Sequence, residues 1–440
     1  MESTSRLDVV LQVLKHSAEV PVHPFRKDIT VFLHLFSDVS SSPQVESPVV
    51  FRPHNSLVPQ YEIAAAPSAR VTGGVSTCDG EIRNQDLSIG SSRQLHDIAS
   101  FWQALESEIT SPIQQCLWSE SCCATLPLDG VLHFVVVKTG SQTGAIAPLV
   151  RANGVLGRLE HLGVEYLREP TDLVFSDPPA LKNLANALVK LGSPLFLDRV
   201  PADSPTVAAV QAAYRGRGMV LIRRAQPYPR ISLHPGWRKP ESQFNSGRRS
   251  DLRRAVRIAE KIGPLSCQIL SPTPSQLGPI LEEALEVEAA NWKGSKGSAI
   301  AHDTLRGQFY RHYAAAASAA GILRVCFLRV GSKAAAMQLA LECGGSFWLL
   351  KIGYREEFAR CSPGMLLIAE TIRYAASRGL RSYEFLGNVD NGTRVWTQDE
   401  IQCVTIRAYP FRPRGVAALA ADAVQALCRR VEETLNRKKK

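Results

Sequence analysis

Nowhere does the chain run through the roughly eighteen consecutive apolar residues that a membrane-crossing helix needs. A secretory leader is not expected either, because Glu2, Arg6, Asp8 and Lys15 interrupt the short apolar patch at the start. Cysteine is present ten times, at 78, 116, 122, 123, 267, 326, 343, 361, 403 and 428, but never as Cys-x-x-Cys. The adjacent pair Cys122-Cys123 lacks metal-ligand spacing, and Cys326 and Cys343 lie in or beside apolar strands, where a thiol is a small hydrophobe. The expectation is a cytoplasmic protein with reduced thiols, no disulfide framework and no metal.

A uniform basic surface is missing too. Net charge is +10, yet residues 237–262 hold eight Lys/Arg against three acids, and residues 429–440 hold six against two. Those segments (+5 and +4) account for nine of the ten charges, so the remainder is close to neutral. What is present is ordinary for a protein with a real core: 440 residues, 45% hydrophobic and 21% charged.

Residues 1–85 read as a loosely ordered extension, with one plausible strand or short helix at 30–36 and then Ser/Pro-rich and Ala/Gly/Ser-rich text. From there the pattern alternates. Strands are expected at 83–89, 131–138, 144–150, 159–164 and 194–199, with an extended stretch at 219–230. Helices are expected at 92–109, 179–191 and 206–217. A basic helix over 250–262, stopped by Gly263-Pro264, separates this half from a second. The second half reads as strand 267–270, helices 275–292 and 304–319, and an antiparallel meander of 323–330, 336–341 and 347–353. Helix 363–378 closes on Gly379, strand 382–386 follows, and an Ala-rich helix spans 416–435 before Lys438-Lys439-Lys440.

The chemistry concentrates between Glu288 and Asn388. The order is Glu288-Ala-Ala-Asn-Trp-Lys-Gly294, Lys351-Ile-Gly-Tyr354, Arg360-Cys-Ser-Pro-Gly-Met-Leu-Leu367 and Glu384-Phe-Leu-Gly387. A helix that begins at Pro363-Gly364 directly after a strand presents first-turn N–H groups and the positive end of its dipole, which suits phosphate oxygens. Pro363 loses nothing at that position, Gly364 admits close approach and Arg360 adds charge. The plain alternative is an ordinary helix start. Glu384, at a strand end, is a candidate general base, or simply a solvent-facing residue of an alternating strand. Asp390 is the next candidate. Lys351, unusual in an apolar strand, could polarise a carbonyl or merely guard a sheet edge.

These motifs, in this order, resemble the signature of the CelD/BcsL-type GNAT family known from cellulose and exopolysaccharide loci. Gly144-Ala-Ile-Ala-Pro-Leu149 and the Arg-rich segment Arg248–Arg254 resemble the same family's first half and connecting helix. The likeness spans roughly 85 to 400. It implies an α/β protein with the α+β GNAT fold in two tandem mixed sheets flanked by helices, as in FemAB-type transferases. The divisions expected are 1–85, a first GNAT-like domain 86–235, a basic linker helix 236–264, an acyl-CoA-binding domain 265–412 and a terminal helix and basic tail 413–440. It further implies acetyl-CoA or another acyl-CoA as donor, held by Arg360, Ser362, Pro363, Gly364, Met365 and Leu366. Lys351, Tyr354, Glu384 and Asp390 would serve catalysis by direct transfer, without an acyl-enzyme on Cys361. Trp292, Lys293, Arg394 and Trp396 would contact the acceptor, a small molecule or glycan of polysaccharide or envelope synthesis. Peripheral attachment to membrane polysaccharide machinery is compatible with the basic tail. The rivals are aminoacyl transfer from charged tRNA, the one case involving nucleic acid, and a non-catalytic scaffold. The chain departs from the family at Arg355 and Glu384, where aspartate is usual, and in the longer loop before Trp396.

Overall fold

The computed structural model describes residues 87–139, 142–290 and 304–437. The expectations for residues 1–85, for Trp292 and Lys293 and for the lysine tail fall outside those residues. The first half contains β1 (Leu87–Ser92), α1 (Ala99–Gln103), α2 (Cys116–Thr125), β2 (Gly130–Thr139), β3 (Gln142–Ala152) and β4 (Leu159–His161). It continues with α3 (Val164–Leu167), β5 (Val174–Phe175), α4 (Pro178–Lys190), β6 (Leu195–Pro201), α5 (Pro205–Tyr214) and β7 (Gly218–Ser232). The second half contains α6 (Ser246–Ile262), β8 (Leu265–Leu270), α7 (Pro274–Ala289), α8 (Thr304–Ala319), β9 (Leu323–Val330) and β10 (Lys333–Cys343). It ends with β11 (Ser346–Tyr354), α9 (Pro363–Ser377), β12 (Ser382–Glu384), β13 (Glu400–Pro410) and α10 (Pro413–Arg437). Among the described residues no helix is long and apolar enough to cross a membrane.

Local chemistry sets the helix starts. Asp177 caps α4 ahead of two prolines, and Thr273 with Gln276 forms a reciprocal capping box on α7. α6 begins four residues before the expected Ser250, because Asn245 accepts the Arg248 N–H at 2.9 Å. The helix expected over 92–109 is broken into α1 and a 3₁₀ turn. The bend lets Trp102 and Leu105 reach the core while the Trp102 indole donates to the Gln114 carbonyl at 2.9 Å.

The two mixed sheets join edge to edge into a single sheet, in the order β1-β2-β3-β4-β6-β13-β7-β12-β11-β10-β9-β8, with β5 paired to β3. Each half repeats one plan: antiparallel strands, then a parallel pair joined by a crossover helix. The pairs are β4 with β6 across α4, and β11 with β12 across α9. The halves then exchange strands. β13, from the end of the second half, inserts between β6 and β7 of the first, and β7 pairs with β12 of the second. The sequence pattern marks no element between 386 and 416, so the strand at the centre of the sheet goes unread, as does the short β5.

β7 hands over from one partner to the other. Its residues 218–229 pair with β13 and its residues 230–232 with β12, and Pro227 and Pro229 stand at the change. Proline has no N–H to give to a ladder, which confines it to such breaks. The carbonyls that the break leaves over go to Arg199 of β6, which is 5% exposed. Its guanidinium donates to the carbonyls of Gln226 (3.1 Å), Arg168 (2.6 Å) and Gly387 (2.6 Å). Arg199, Arg168 and Leu386 all have positive φ (52°, 55° and 53°), a costly conformation for non-glycine residues that surrounding contacts must hold in place.

Two apolar layers cover the back of the sheet, one under α4 and α5 and one under α6 and α9. On the front a single cluster runs across both halves: Trp118 of α2 meets Phe309 and Tyr313 of α8 with ring centroids 4.8 and 4.9 Å apart. Gly344, in the β10–β11 turn, has φ 57°, and a Cβ there would stand 2.3 Å from the Thr110 carbonyl oxygen. The halves therefore touch backbone to backbone. Arg199→Leu should lower unfolding stability by about 2 kcal/mol or more, since each stranded buried carbonyl costs ~1–3 kcal/mol. Urea denaturation followed by circular dichroism checks this, and an unchanged midpoint would contradict it.

Candidate active site

β11 and β12 run side by side for three residues only, Ser346↔Ser382 to Trp348↔Glu384, and then part. β12 ends at Glu384, while β11 continues to Tyr354 and leads through a 3₁₀ turn into α9. A bulge at Leu350 shifts the register of β11 against β10, where Leu339 faces Lys351 and Ala340 faces Leu349. The shift places Leu350 and Lys351 together on the front of the sheet, where the Lys351 ammonium lies 4.7 Å from the Tyr310 ring centroid. Gly353 follows because α7 crosses there, with Glu288 Cα 2.6 Å from where a Cβ would stand.

The predicted phosphate loop lies at the far end of β11. Ser362 has φ 45° and caps α9 without any side-chain hydrogen bond, and Pro363 occupies the first turn. A Cβ on Gly364 would lie 3.7 Å from Ile352 and 3.9 Å from Tyr354, so a larger side chain here would fill the slot between helix start and strand end. Arg360 is exposed beside it. The matching helix of the first half is closed: the Asp177 carboxylate accepts from Ala180 N at 2.7 Å, which puts negative charge where a phosphate would go. Of the two crossover helices, only α9 has a start that suits an anion. Cys361 is buried, donates to the Phe358 carbonyl, and has its thiol pKa raised by burial, so it is not primed as a nucleophile.

Glu384 is 1% exposed. Its Oε1 accepts from Ser382 Oγ at 2.6 Å and pairs with Arg230 Nε at 2.8 Å, while Oε2 has no hydrogen-bond partner among the described residues. Burial raises its pKa, opposed by Ser382 and Arg230, which favour the anion. The carboxylate borders a cavity of about 560 Å³ whose walls come from both halves. The first half lends Thr171, Asp172, Asp203, Ser204, Tyr228 and Arg230, and the second lends Ser346, Trp348 and Arg381. Asp172 accepts from Ser204 Oγ (2.5 Å) and Leu173 N (2.7 Å), yet burial pushes its pKa up to about 6. Burial also raises the Tyr228 phenol, with the negative charge of Glu384 adding to the shift.

The structure thus separates the predicted residues into groups. Lys351 and Glu384 share the front of the sheet with the cavity. Tyr354, Ser362, Pro363, Gly364, Met365 and Leu366 gather at the start of α9, with Leu366 turned into the apolar layer behind it. Asp390 builds a turn, accepting Thr393 N at 2.8 Å. Arg394 is exposed and pairs with Glu400 at 3.5 Å. Trp396 is 4% exposed and packs on Phe244 in the layer behind the sheet, away from the cavity face. Sequence reading missed Asp172, Asp203, Tyr228 and Arg230, which lie far from the motifs in the chain. The one local hint was Pro170-Thr-Asp172, which looks like any turn.

Residues 246–393, about a third of the chain, match the family model described as Acetyltransferase (GNAT) domain. No curated protein sequence matches. Among solved structures the chain is similar to a C-terminal DUF2156 domain from Agrobacterium fabrum, at 12% identity and TM-score 0.47, over 75% of this chain and 96% of that one. It is similar to FemX, at 11% identity and TM-score 0.45, over 73% of this chain and 97% of that one. It is also similar to a tandem GNAT protein from the clavulanic acid biosynthesis pathway, at 12% identity and TM-score 0.41, over 74% and 99%. At TM-scores below 0.5 these likenesses add nothing to the topology already described. The segment that carries the α9 start and Glu384 is a GNAT acetyltransferase domain, and the chain is an acyltransferase.

Proposed function

We propose that the protein transfers an acyl group from acyl-CoA directly to an amine, or a hydroxyl, of a polysaccharide or cell-envelope precursor. The observation that carries this reading is the position of Glu384. It is a buried carboxylate with one unbonded oxygen, on a cavity at the point where the parallel pair β11/β12 parts. The crossover helix of that same pair starts with the uncapped Ser362-Pro363-Gly364 turn, which suits the diphosphate of the donor. The envelope acceptor rests on the sequence resemblance alone.

In the reaction the acceptor nitrogen attacks the thioester carbonyl, the C–N bond forms and the C–S bond breaks. Glu384 takes the proton from nitrogen. The departing thiolate takes one from solvent or from Tyr228, a phenol kept protonated by burial. Arg230 and Ser382 orient the carboxylate so that Oε2 faces the acceptor. A base with a raised pKa accepts a proton more readily than an exposed carboxylate does, provided that it is ionised at the working pH.

Calorimetric titration with acetyl-CoA tests the donor. The wild type should bind, while Gly364→Trp, whose ring would fill the slot over Ile352 and Tyr354, should weaken binding by at least about a hundredfold. If neither acetyl-CoA nor longer acyl-CoAs bind, the donor reading fails and charged tRNA, with affinity falling steeply in salt, becomes the reading to test. With an acceptor in hand, Glu384→Gln should cut kcat by ~10²–10⁴-fold and leave acetyl-CoA affinity unchanged. The wild-type rate should rise with pH as Glu384 loses its proton, at a midpoint above the usual carboxylate range. Arg230→Gln should move that midpoint higher, because the guanidinium favours the anion. A pH–rate profile that is flat across that range would remove Glu384 from the role of base.

A further inference from the structure

Glu384 is one of three carboxylates on its cavity; the others are Asp172 and Asp203, both from the first half. Tyr228 feels the negative charge of both Glu384 and Asp203, and Asp172 in turn feels Asp203. The charge of Glu384 is met by Arg230. The other two form no ion pair among the described residues. Among the described residues Asp172 meets only neutral donors, the Ser204 hydroxyl and the Leu173 N–H with Thr206 also favouring its anion, and Asp203 has no hydrogen bond or ion pair. Arg381, which directly precedes the strand that carries Glu384, lies against Gly345 and donates to the Gly344 carbonyl at 2.8 Å. The cavity is thus lined by Asp172 and Asp203, which form no ion pair among the described residues, and by Glu384, whose buried Oε2 has no hydrogen-bond partner among them.

We propose that this cavity takes a compact acceptor with two basic nitrogens, a diamine or an amino sugar bearing a second ammonium group. One nitrogen is presented to Glu384 and the other is held by Asp172 and Asp203. The proposal deepens the acyl-transfer reading and rests on it for the role of Glu384. Asp172, a recessed carboxylate without an ion pair among the described residues, is costly to keep ionised, and a ligand ammonium shared with the more exposed Asp203 supplies the missing charge. The division of labour also explains why the walls come from both halves: the second half holds the base and the donor helix, and the first half holds the anchor. A volume of about 560 Å³ accommodates such a molecule with water around it.

Titration of the full chain with 1,4-diaminobutane and with butylamine, without any acyl donor, reads the anchor directly. The diamine should bind at least about tenfold more tightly than the monoamine. That preference should disappear in Asp203→Asn, a change at an exposed position that spares the fold, and in Asp172→Asn. Both variants should bind acetyl-CoA as the wild type does, which separates this test from the donor reading. If wild-type protein binds the diamine but not acetyl-CoA, the donor reading fails while the anchor stands. Equal binding of diamine and monoamine, or a diamine preference that survives both substitutions, would overturn the proposal. So would tighter binding of glucosamine 6-phosphate than of glucosamine that strengthens further in Asp203→Asn, since the cavity would then select an anion.

Discussion

The change of partner along β7, held by Arg199, is the constraint on which the rest of the structure depends. A strand that leaves β13 and takes up β12 must pass through a stretch whose backbone groups neither neighbour can satisfy. Pro227 and Pro229 remove two of the donors, and one buried guanidinium collects the carbonyls. That side chain also ties down the Gly387 carbonyl just beyond Glu384 and the Arg168 carbonyl just before the Pro170–Asp172 wall. The base and the far wall of the cavity are thus positioned by the contact that lets the two halves share a sheet. Three non-glycine residues with positive φ at this place are held by those same contacts.

From this joint comes a division of roles between two halves with the same plan. Each has a parallel pair bridged by a crossover helix, and in a doubled protein either could have bound a donor. The helix starts decide between them. α4 is closed by its own aspartate, whereas α9 begins at a serine whose side chain caps nothing and a glycine facing a slot. Where the first half loses a donor site it supplies Asp172, Asp203 and Tyr228 to the cavity that holds the base. The transfer proposed proceeds without an activated thiol, since Cys361 is buried and its pKa is raised.

Local rules made much of the fold readable. The β9–β11 meander alternates and turns at glycines, and Pro363 and Gly379 bracket α9, so these elements stand close to where the sequence placed them. The start of α9 was legible for the same reason, since proline and glycine act on their immediate neighbours. β13 was not, although it is the centre of the sheet: its register is dictated by β6 and β7, some two hundred residues earlier, and nothing adjacent marks it. Glu384 could be named from its strand end, but whether it faced water or a cavity depended on the other half. The same blindness applies to Trp396 and Asp390. An aromatic and an acid in a loop suggest a site, yet one fills the apolar layer beside Phe244 and the other closes a turn on Thr393. Asp203 carries no local mark and Asp172 only a turn-like Pro170-Thr-Asp172, because their meaning lies in lining the same cavity as Glu384.

In the proposed reaction the donor enters by the α9 start and reaches Glu384 through the gap where β11 and β12 part, while the acceptor comes from the cavity between the halves. A crystal structure of the protein with coenzyme A tests this most directly. The diphosphate is expected on the Ser362–Leu366 turn and the thiol between Trp348 and Glu384. A diphosphate at the Asp177 end of α4, or a thiol directed away from Glu384, would contradict it.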